Sequence, residues 1–537
     1  MPVTRMARHS GASFRLHSSQ AVSAGAGLDT IYALSSGGLQ KTGVTVIRIS
    51  GPQAFPCLQQ LLNRPDGTEP SQPKERMASL RRIYCPSSKD LLDQALILRF
   101  PGPRSFTGED VVEVHIHGSR AVIGGVFSAL EHCNYRHHSN GDDDHDDHDD
   151  ANVGHSGVGT GRVRPAERGE FTRRAFGNGR MDLTEVEGLS DLLEAETALQ
   201  RKQALRQMDG HMRVVFEGWR TDLISCLAHT EAVIDFGDDA ADGDIDDRAM
   251  DPLIPRIEAL RDEIEGHLAD GRKGEIIREG VRIALVGPPN AGKSSLMNAL
   301  ARRPAAIVSP VAGTTRDIIE LRLDLAGVPC IVSDTAGLRE GSEDPIELEG
   351  IRRAWEALQR ADVKVYVGDA SDDGSWQIAR DMFTSAATAV SPDSEDGEGG
   401  EGDSNEGVRL LVLNKVDVID ATVAVGVDDD TGAVAGAFQI SCSTGVGIPE
   451  LEAGLTARIE ELLERSTDEG ALITRERHRA HMQECLVHLH GFLATTSMMD
   501  VASEELRLAM MELGKVTGRV DVEELLDVIF RDFCIGK

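Results

Sequence analysis

Residues 287–294 read Gly-Pro-Pro-Asn-Ala-Gly-Lys-Ser, a G-x-x-x-x-G-K-S loop. An apolar run from Ile283 to Val286 precedes it, and a segment with Leu296, Ala299 and Leu300 at helical spacing follows. Strand, glycine loop and helix in that order cradle phosphates, because backbone N–H groups at a helix N-terminus point at the anion. The contacts fall on Asn290, Ala291, Gly292, Lys293, Ser294 and Ser295. Lys293 supplies a point charge to the β- and γ-phosphates, and the Ser294 hydroxyl is placed for Mg²⁺. A glycine-rich turn can also merely join a strand to a helix, so the rest of the chain must decide.

Four further segments follow in order. Gly313-Thr314-Thr315-Arg316-Asp317 offers threonine hydroxyls, of which Thr314 and Thr315 can sense the γ-phosphate and complete a Mg²⁺ shell. The short strand Cys330–Ser333 ends in Asp334-Thr335-Ala336-Gly337, where Asp334 suits a water-mediated Mg²⁺ contact and Gly337 an N–H to the γ-phosphate. After the strand Arg409–Leu413 comes Asn414-Lys415-Val416-Asp417, and after Ala437–Ile440 comes Ser441-Cys442-Ser443, which closes over a base. The Asp417 carboxylate can accept from guanine N1–H and the exocyclic amine together. Adenine lacks that donor pair, so GTP is the expected nucleotide.

The position after Gly337 is Leu338, where Ras-like enzymes carry a glutamine that orients the attacking water. Leucine cannot do this. Glu340, Glu343, Asp344, Glu347 and Glu349 follow, and spacing does not choose among them. No arginine finger is evident in cis. A monovalent cation held near Asn290 could supply the missing charge, and a plain loop-capping amide is the other reading of that residue.

The elements that position these groups fall into several domains, as 537 residues allow. The segments Thr30–Leu34, Val44–Ile49, Ala95–Phe100 and Val111–Ile116 read as strands, and 120–132 as a helix, which together make a small α+β domain. Helical periodicity then runs through 182–236 and 252–279, with a capping-box-like Asp182 and Glu185, and resumes over 459–492 and 503–533. The expected fold is multidomain. It comprises an α+β N-terminal domain (29–178), an all-α helical domain in two parts (179–280 and 459–537), and a Ras-like α/β P-loop G domain (281–458) inserted between them.

Net charge is −33, which argues against a broad basic surface for nucleic acid. Three segments, 141–150, 237–251 and 391–407, hold 21 acidic residues against one arginine, so they carry 20 of those excess charges. The first and last lie in stretches (about 137–162 and 391–407) expected to be disordered insertions. His145 and His148 among the aspartates could bind metal, but a solvated loop is the simpler reading. The eight cysteines include no C-x-x-C pair, which fits a reducing compartment better than a disulfide framework. Residues 1–28 contain Arg5, Arg8 and Arg15, several serines and no acid, the composition of a mitochondrial transit peptide. No apolar run is long enough to span a bilayer. The terminal Cys534-Ile535-Gly536-Lys537 fits prenylation poorly, so no stable membrane anchor is expected.

Taken together, the chain resembles the tRNA modification GTPases known as MnmE or TrmE. The likeness rests on Ile47-Arg-Ile-Ser-Gly51, Phe100-Pro-Gly-Pro103, Ser105-Phe-Thr-Gly-Glu-Asp110, Arg164-Pro, Gly169-Glu-Phe171, Arg174-Ala-Phe176, the inserted G domain and the terminal Phe-Cys-Ile-Gly-Lys. The resemblance implies a homodimer through the N-terminal domain, with G domains that pair face to face in a K⁺-dependent manner. It implies Asn290 as a K⁺ ligand, completed by oxygens of Ser309, Val311 and Thr314, and Ser294 and Thr315 as Mg²⁺ ligands. Glu347 is then the catalytic glutamate that orients water. Arg48, Glu113, Arg180 and Lys537 fall where the family binds a formyl-tetrahydrofolate-type one-carbon donor, and Cys534 is the cysteine linked to the modification chemistry.

The chain departs from the family pattern in the Ser35–Thr45 turn, at His117-Gly118-Ser119, in the length around Glu343–Pro345, and in Arg180 where bacterial members have Lys. The implied partner is a flavoprotein of the MnmG or GidA type, which carries FAD and uses NADH. The two act on C5 of the wobble uridine of tRNA, here mitochondrial, to add a carboxymethylaminomethyl or taurinomethyl group, with the tRNA held mainly through the complex. A ribosome-assembly GTPase is the alternative. It would carry a basic RNA-binding appendage, and none is visible in the sequence.

Overall fold

The computed structural model describes residues 29–36, 41–68, 70–133, 161–237, 250–269, 272–303, 306, 320–334, 358–388, 408–419, 437–464, 473–520, 523–533 and 535–536. It divides into two compact units, 1–182 with 522–537, and 183–521.

The first unit is built on a six-stranded sheet of order β3-β4-β5-β2-β1-β6. Its strands are β1 (Thr30–Leu34), β2 (Thr42–Ser50), β3 (Ser79–Tyr84), β4 (Leu91–Phe100), β5 (Val111–Gly118) and β6 (Val163–Pro165). All neighbours are antiparallel except β1 and β6. Alternation sends Val112, Val114 and Ile116 of β5 and Ile47 and Ile49 of β2 into one core, roofed by α1 (Ala54–Leu62) and α2 (Arg120–Glu131). Arg48 and Glu113 lie opposite each other in register, so both side chains share the other face of the sheet. On that face Phe171 of α3 (Glu170–Gly177) packs with Ile31 and Ala33.

Among the described residues the second unit has three apolar clusters. One joins α6 (His211–Gly237) and α7 (Ile254–Leu268) to α12 (Glu476–Ala494) and α13 (Met499–Thr517), with Trp219, Leu223, Met482, Phe492 and Leu506 among its buried members. Residues from both sides of the α/β segment thus complete a single core, which is what an inserted domain requires. A buried ionic cluster ties the same two halves together. Glu187 of α4 (Leu183–Glu194) is 1% exposed and meets Arg477 at 2.9 Å and His478 at 2.8 Å. Next to it, Asp191 binds Arg475 at 2.7 Å. After α4, a capping box of Thr197 and Gln200 opens α5 (Ala198–Met208), and α8 (Lys273–Glu279) leads into the α/β part.

That part is a sheet of order β12-β11-β10-β7-β9-β8, parallel except between β8 and β9. Its strands are β7 (Val281–Val286), β8 (Glu320–Leu325), β9 (Val328–Asp334), β10 (Val363–Asp369), β11 (Val408–Asn414) and β12 (Ala437–Gln439). The helices α9 (Lys293–Ala301), α10 (Asp373–Thr388) and α11 (Ile448–Glu464) accompany them. Continuous apolar runs such as Ile283–Val286 are buried because a parallel sheet is covered on both faces. The site lies at the carboxyl ends of these strands, where an open α/β sheet leaves its crevice.

The C-terminal region differs from the sequence expectation. The helical pattern over 503–533 is two helices, since α13 ends at Gly518, which has φ 81° and donates to Gly514 O. The last helix, α14 (Glu523–Asp532), groups with the first compact unit. Phe530 and Phe533 are buried there.

Candidate functional site

Glycines at 287 and 292 set the phosphate loop. A Cβ on Gly287 would stand 2.2 Å from Val367 O, and one on Gly292 would stand 2.0 Å from Asn414 Nδ2. Both have positive φ, and Asn290 also sits in the left-handed region at φ 63°. Ala291 is fully buried under the loop, while Asn290 is exposed. Lys293 turns back over the loop and donates from Nζ to Gly287 O at 2.8 Å and Pro288 O at 3.0 Å. Burial pulls its ammonium below the ordinary value, against the opposing charge of Asp334. A polyanion in the loop would give that ammonium a stronger partner than two carbonyls.

Ser294 Oγ donates to Asp334 Oδ2 at 2.5 Å, which joins the start of α9 to the end of β9. The second carboxylate oxygen, Asp334 Oδ1, is buried with no hydrogen-bond partner. A hydroxyl and a carboxylate with spare acceptor capacity form a hard-oxygen pair suited to Mg²⁺ beside phosphates.

Asn414 explains why the base-recognition loop and the phosphate loop hold together. It is 1% exposed, donates from Nδ2 to Ala291 O at 3.0 Å, and accepts from Cys442 N–H at 3.3 Å through Oδ1. The sequence reading places Asn414 among nucleotide contacts; its amide also joins the two loops. Lys415 has φ 65° and donates from Nζ to Asp369 Oδ2 at 2.5 Å, a partner the motif does not reveal. Burial drives the Asp369 carboxyl upward, but hydrogen bonds from Lys415 and Ser371 outweigh it and hold the group below the usual carboxylate range. Asp417 is exposed and accepts from Ser443 Oγ at 2.7 Å, and Ser441 Oγ and Ser443 Oγ lie 2.9 Å apart. These hydroxyls lower the Asp417 pKa and keep it ionised for two donors on a base edge. The Cys442 thiol is pushed up to about 11 by burial, so it is inert packing beneath the base loop. Ser295, on the first turn of α9, is exposed.

Ser309, Val311, Thr314, Thr315, Gly337, Leu338 and Glu347 lie outside the described residues, as do His145, His148, Cys534 and Lys537. Among the described residues no cluster of three or more His, Cys, Asp or Glu is arranged to hold a metal, and no helix is long and apolar enough to cross a membrane.

A second cluster occupies the open face of the first unit's sheet. Arg48 Nη2 donates to Glu113 Oε1 at 2.9 Å, and its guanidinium lies 5.2 Å from the Phe106 ring centre and 5.7 Å from that of Phe171. Arg180 donates from Nε to the carbonyl of Ser105 at 3.1 Å, on the residue next to Phe106. The 105–109 loop therefore links Arg180 to the Arg48–Glu113 pair. Sequence reasoning missed the two rings that flank Arg48, although both lie inside quoted motifs. It also missed the network beneath them, in which Arg174 binds Glu109 at 3.1 Å and Glu170 at 3.0 Å.

The chain terminus reaches the same sheet. Ile535 bridges Arg168, and Ser35 Oγ donates to Gly536 O at 3.1 Å. Gly536 has φ 104°, and a Cβ there would be 2.0 Å from Leu34 O. Behind it, Arg173 pairs with Asp527 at 2.7 Å and lies over the Phe530 ring. A Cβ on Gly169 would be 2.7 Å from Phe530 O.

A model described as the MnmE helical domain matches residues 183–534, and one described as the N-terminus of the GTP-binding protein TrmE matches residues 30–180. The chain is 45% identical over 516 residues to the tRNA modification GTPase MnmE of Parvibaculum lavamentivorans, covering 95% of this chain and 100% of that protein. It is 43% identical over 511 residues to the mitochondrial 5-taurinomethyluridine-[tRNA] synthase subunit GTPB3 of Homo sapiens, covering 95% of this chain and 93% of the relative. The protein of the same name from Danio rerio is 42% identical over 516 residues, covering 95% and 94%.

Proposed function

This chain belongs to the MnmE/TrmE family of tRNA modification GTPases, and from that premise we propose that it hydrolyses GTP to drive modification of the wobble uridine of mitochondrial tRNA. The observation that carries the nucleotide part is the Asn414 bridge. It fixes the exposed Asp417 carboxylate relative to a phosphate loop whose two glycines have no room for a side chain.

Within that reading the chain's own groups divide the work. Loop N–H groups and Lys293 hold the β- and γ-phosphates, and Asp417 with the Ser441–Ser443 loop selects guanine. Ser294 and Asp334, with Thr315, would hold Mg²⁺, which supplies positive charge at the phosphates. Glu347 orients the attacking water in place of the missing glutamine. Asn290, with Ser309, Val311 and Thr314, would hold a K⁺ ion, which would supply the charge that an arginine finger gives elsewhere.

The Arg48, Glu113 and Arg180 cluster, together with Lys537 of the terminal tetrapeptide, is proposed to hold a formyl-tetrahydrofolate-type donor. A carboxylate beside a guanidinium, flanked by Phe106 and Phe171, suits a flat ring that carries both donors and acceptors. The described tail residues Ile535 and Gly536 meet that sheet, and Cys534 directly precedes them in the sequence. The protein acts as a homodimer with a flavoprotein of the MnmG or GidA type, which brings FAD, NADH and most of the tRNA-binding surface. That division of labour fits a chain of net charge −33. The Arg- and Ser-rich leader and the mitochondrial relatives support a mitochondrial location.

Reconstitution tests this reading. Purified protein, partner flavoprotein and undermodified tRNA should yield modified uridine with GTP and K⁺ but not with GDP or with a non-hydrolysable GTP analogue. Equal yield without hydrolysis would overturn it.

A further inference from the structure

Strands β8 and β9 form a hairpin with one end at the phosphate loop and its turn against α5. Strand β9 terminates in Asp334, the carboxylate that Ser294 contacts. At the opposite end the turn passes through Ala326 (φ 54°) and Gly327 (φ 84°). There Leu199 of α5 lies against the hairpin, with its Cγ 3.4 Å from where a Gly327 Cβ would stand, and it packs with the apolar core of the G domain. Beside it Arg322 of β8 pairs with Glu196, just before α5, at 3.0 Å. Gln200 Nε2 donates to Arg278 O at 2.9 Å, and Arg278 binds Asp191 at 3.0 Å. Asp191 also holds Arg475, so contacts continue from the hairpin to the buried Glu187 cluster.

Most of these contacts are too well paired to be adjustable. The Arg322–Glu196 pair differs, since its side chains are 49% and 26% exposed, and a half-exposed ion pair contributes little to stability. Its worth lies in register: it fixes where the α4–α5 corner grips a strand pair whose far end holds Asp334.

We infer that the β8–β9 hairpin is the lever through which the helical domain reads the nucleotide, with Glu196 and Arg322 as positioning residues. This rests on the reading of residues 287–294 as a GTP site. Displacement of Asp334 when the γ-phosphate is present or absent shifts β9 along its axis. The packed core cannot absorb that shift continuously, so the α4–α5 corner moves with the strand. Uridine modification then depends on GTP state through the α4–α5 corner.

The test is hydrogen exchange over α5 in the full-length protein, with GDP and with GDP plus aluminium fluoride, alongside GTP turnover and uridine modification. In the native protein the exchange rates of α5 should differ between the two states by about fivefold, the low end of ordinary allosteric coupling. Arg322→Glu should erase that difference and depress modification while leaving GTP turnover and melting temperature near native. The charge swap Arg322→Glu with Glu196→Arg should restore both. Identical α5 exchange in the two states of the native protein would overturn the lever, as would a state dependence that survives Arg322→Glu. Loss of nucleotide binding in the native protein would instead strike at the GTP reading.

Discussion

The side-chain amide of Asn414 lies between the carbonyl of Ala291 and the N–H of Cys442, at 3.0 and 3.3 Å, so one buried residue sets the distance from phosphate loop to base loop. Asn414→Ala leaves both backbone groups without their partner. Each unmet buried group costs about 1–3 kcal/mol. GTP and GDP affinity should therefore fall roughly 10–100-fold, measured by titration with a fluorescent nucleotide, with the protein still folded. Unchanged affinity would mean that the loops are held by other contacts.

Base choice turns on the Asp417 carboxylate, over which the Ser441–Ser443 loop closes. Asp417→Asn replaces two acceptors with one acceptor and one donor, which suits xanthine, whose C2 carries an oxygen. Competition binding should show guanine nucleotides weakened and xanthine nucleotides gained. Loss of both would show that the carboxylate's role is to hold Ser443.

Cation dependence separates the two readings of Asn290. Its φ of 63° is one that asparagine tolerates better than most residues, so the conformation by itself accounts for the residue. Asn290→Gly preserves that backbone and removes the oxygen. If the side chain ligates K⁺, turnover stimulated by K⁺ over Na⁺ disappears in this variant. If K⁺ stimulation persists, the residue serves the backbone only.

Acid should loosen the helical domain in a defined order. Burial keeps His478 below its ordinary 6.5, against the pull of Glu187 and with Arg477 and Arg475 opposing its charge. His478 is read as a neutral ring that donates from Nε2 to Glu187, because its Nδ1 is buried without a partner and a proton there would go unmet. Burial raises Glu187, but His478, Arg477 and Arg475 hold it well below the ordinary carboxylate value. Both folded-state values are depressed, so the stabilisation is complete above pH 6.5 and is lost as pH falls. His478 contributes first, below 6.5, and Glu187 below 4.5. Melting curves should be level from pH 7 to 8 and drop below 6.5. Glu187→Gln, which leaves buried guanidinium groups short of their counter-charge, should cost about 3–5 kcal/mol.

The tail offers a test that leaves the nucleotide site untouched. Gly536→Ala forces a Cβ onto Leu34 O, so the terminus should undock. Uridine modification should then collapse while GTP turnover stays within about a factor of two, a change in barrier under about 0.5 kcal/mol.

Much of this was legible in the sequence, because the nucleotide motifs are local: Gly287–Ser294, Asp334 and Asn414–Asp417 each occupy one turn at a strand end. What escaped depends on contacts across long separations. Nothing near Asn414 announces Ala291, 123 residues away. Lys415 gives no hint of Asp369, and Arg48 none of the rings of Phe106 and Phe171. The C-terminal helix was legible as a helix, but its place in the first compact unit was not, because periodicity reports that a face is buried and not against what. Gly536 needed the strand it touches before its lack of a side chain had meaning.

The most direct test of the whole account is mass spectrometry of nucleosides from mitochondrial tRNA in cells that lack this protein. The account predicts that the C5-modified wobble uridine disappears and that the native chain, but not Gly536→Ala, restores it. An unchanged wobble uridine in cells without the protein would contradict it.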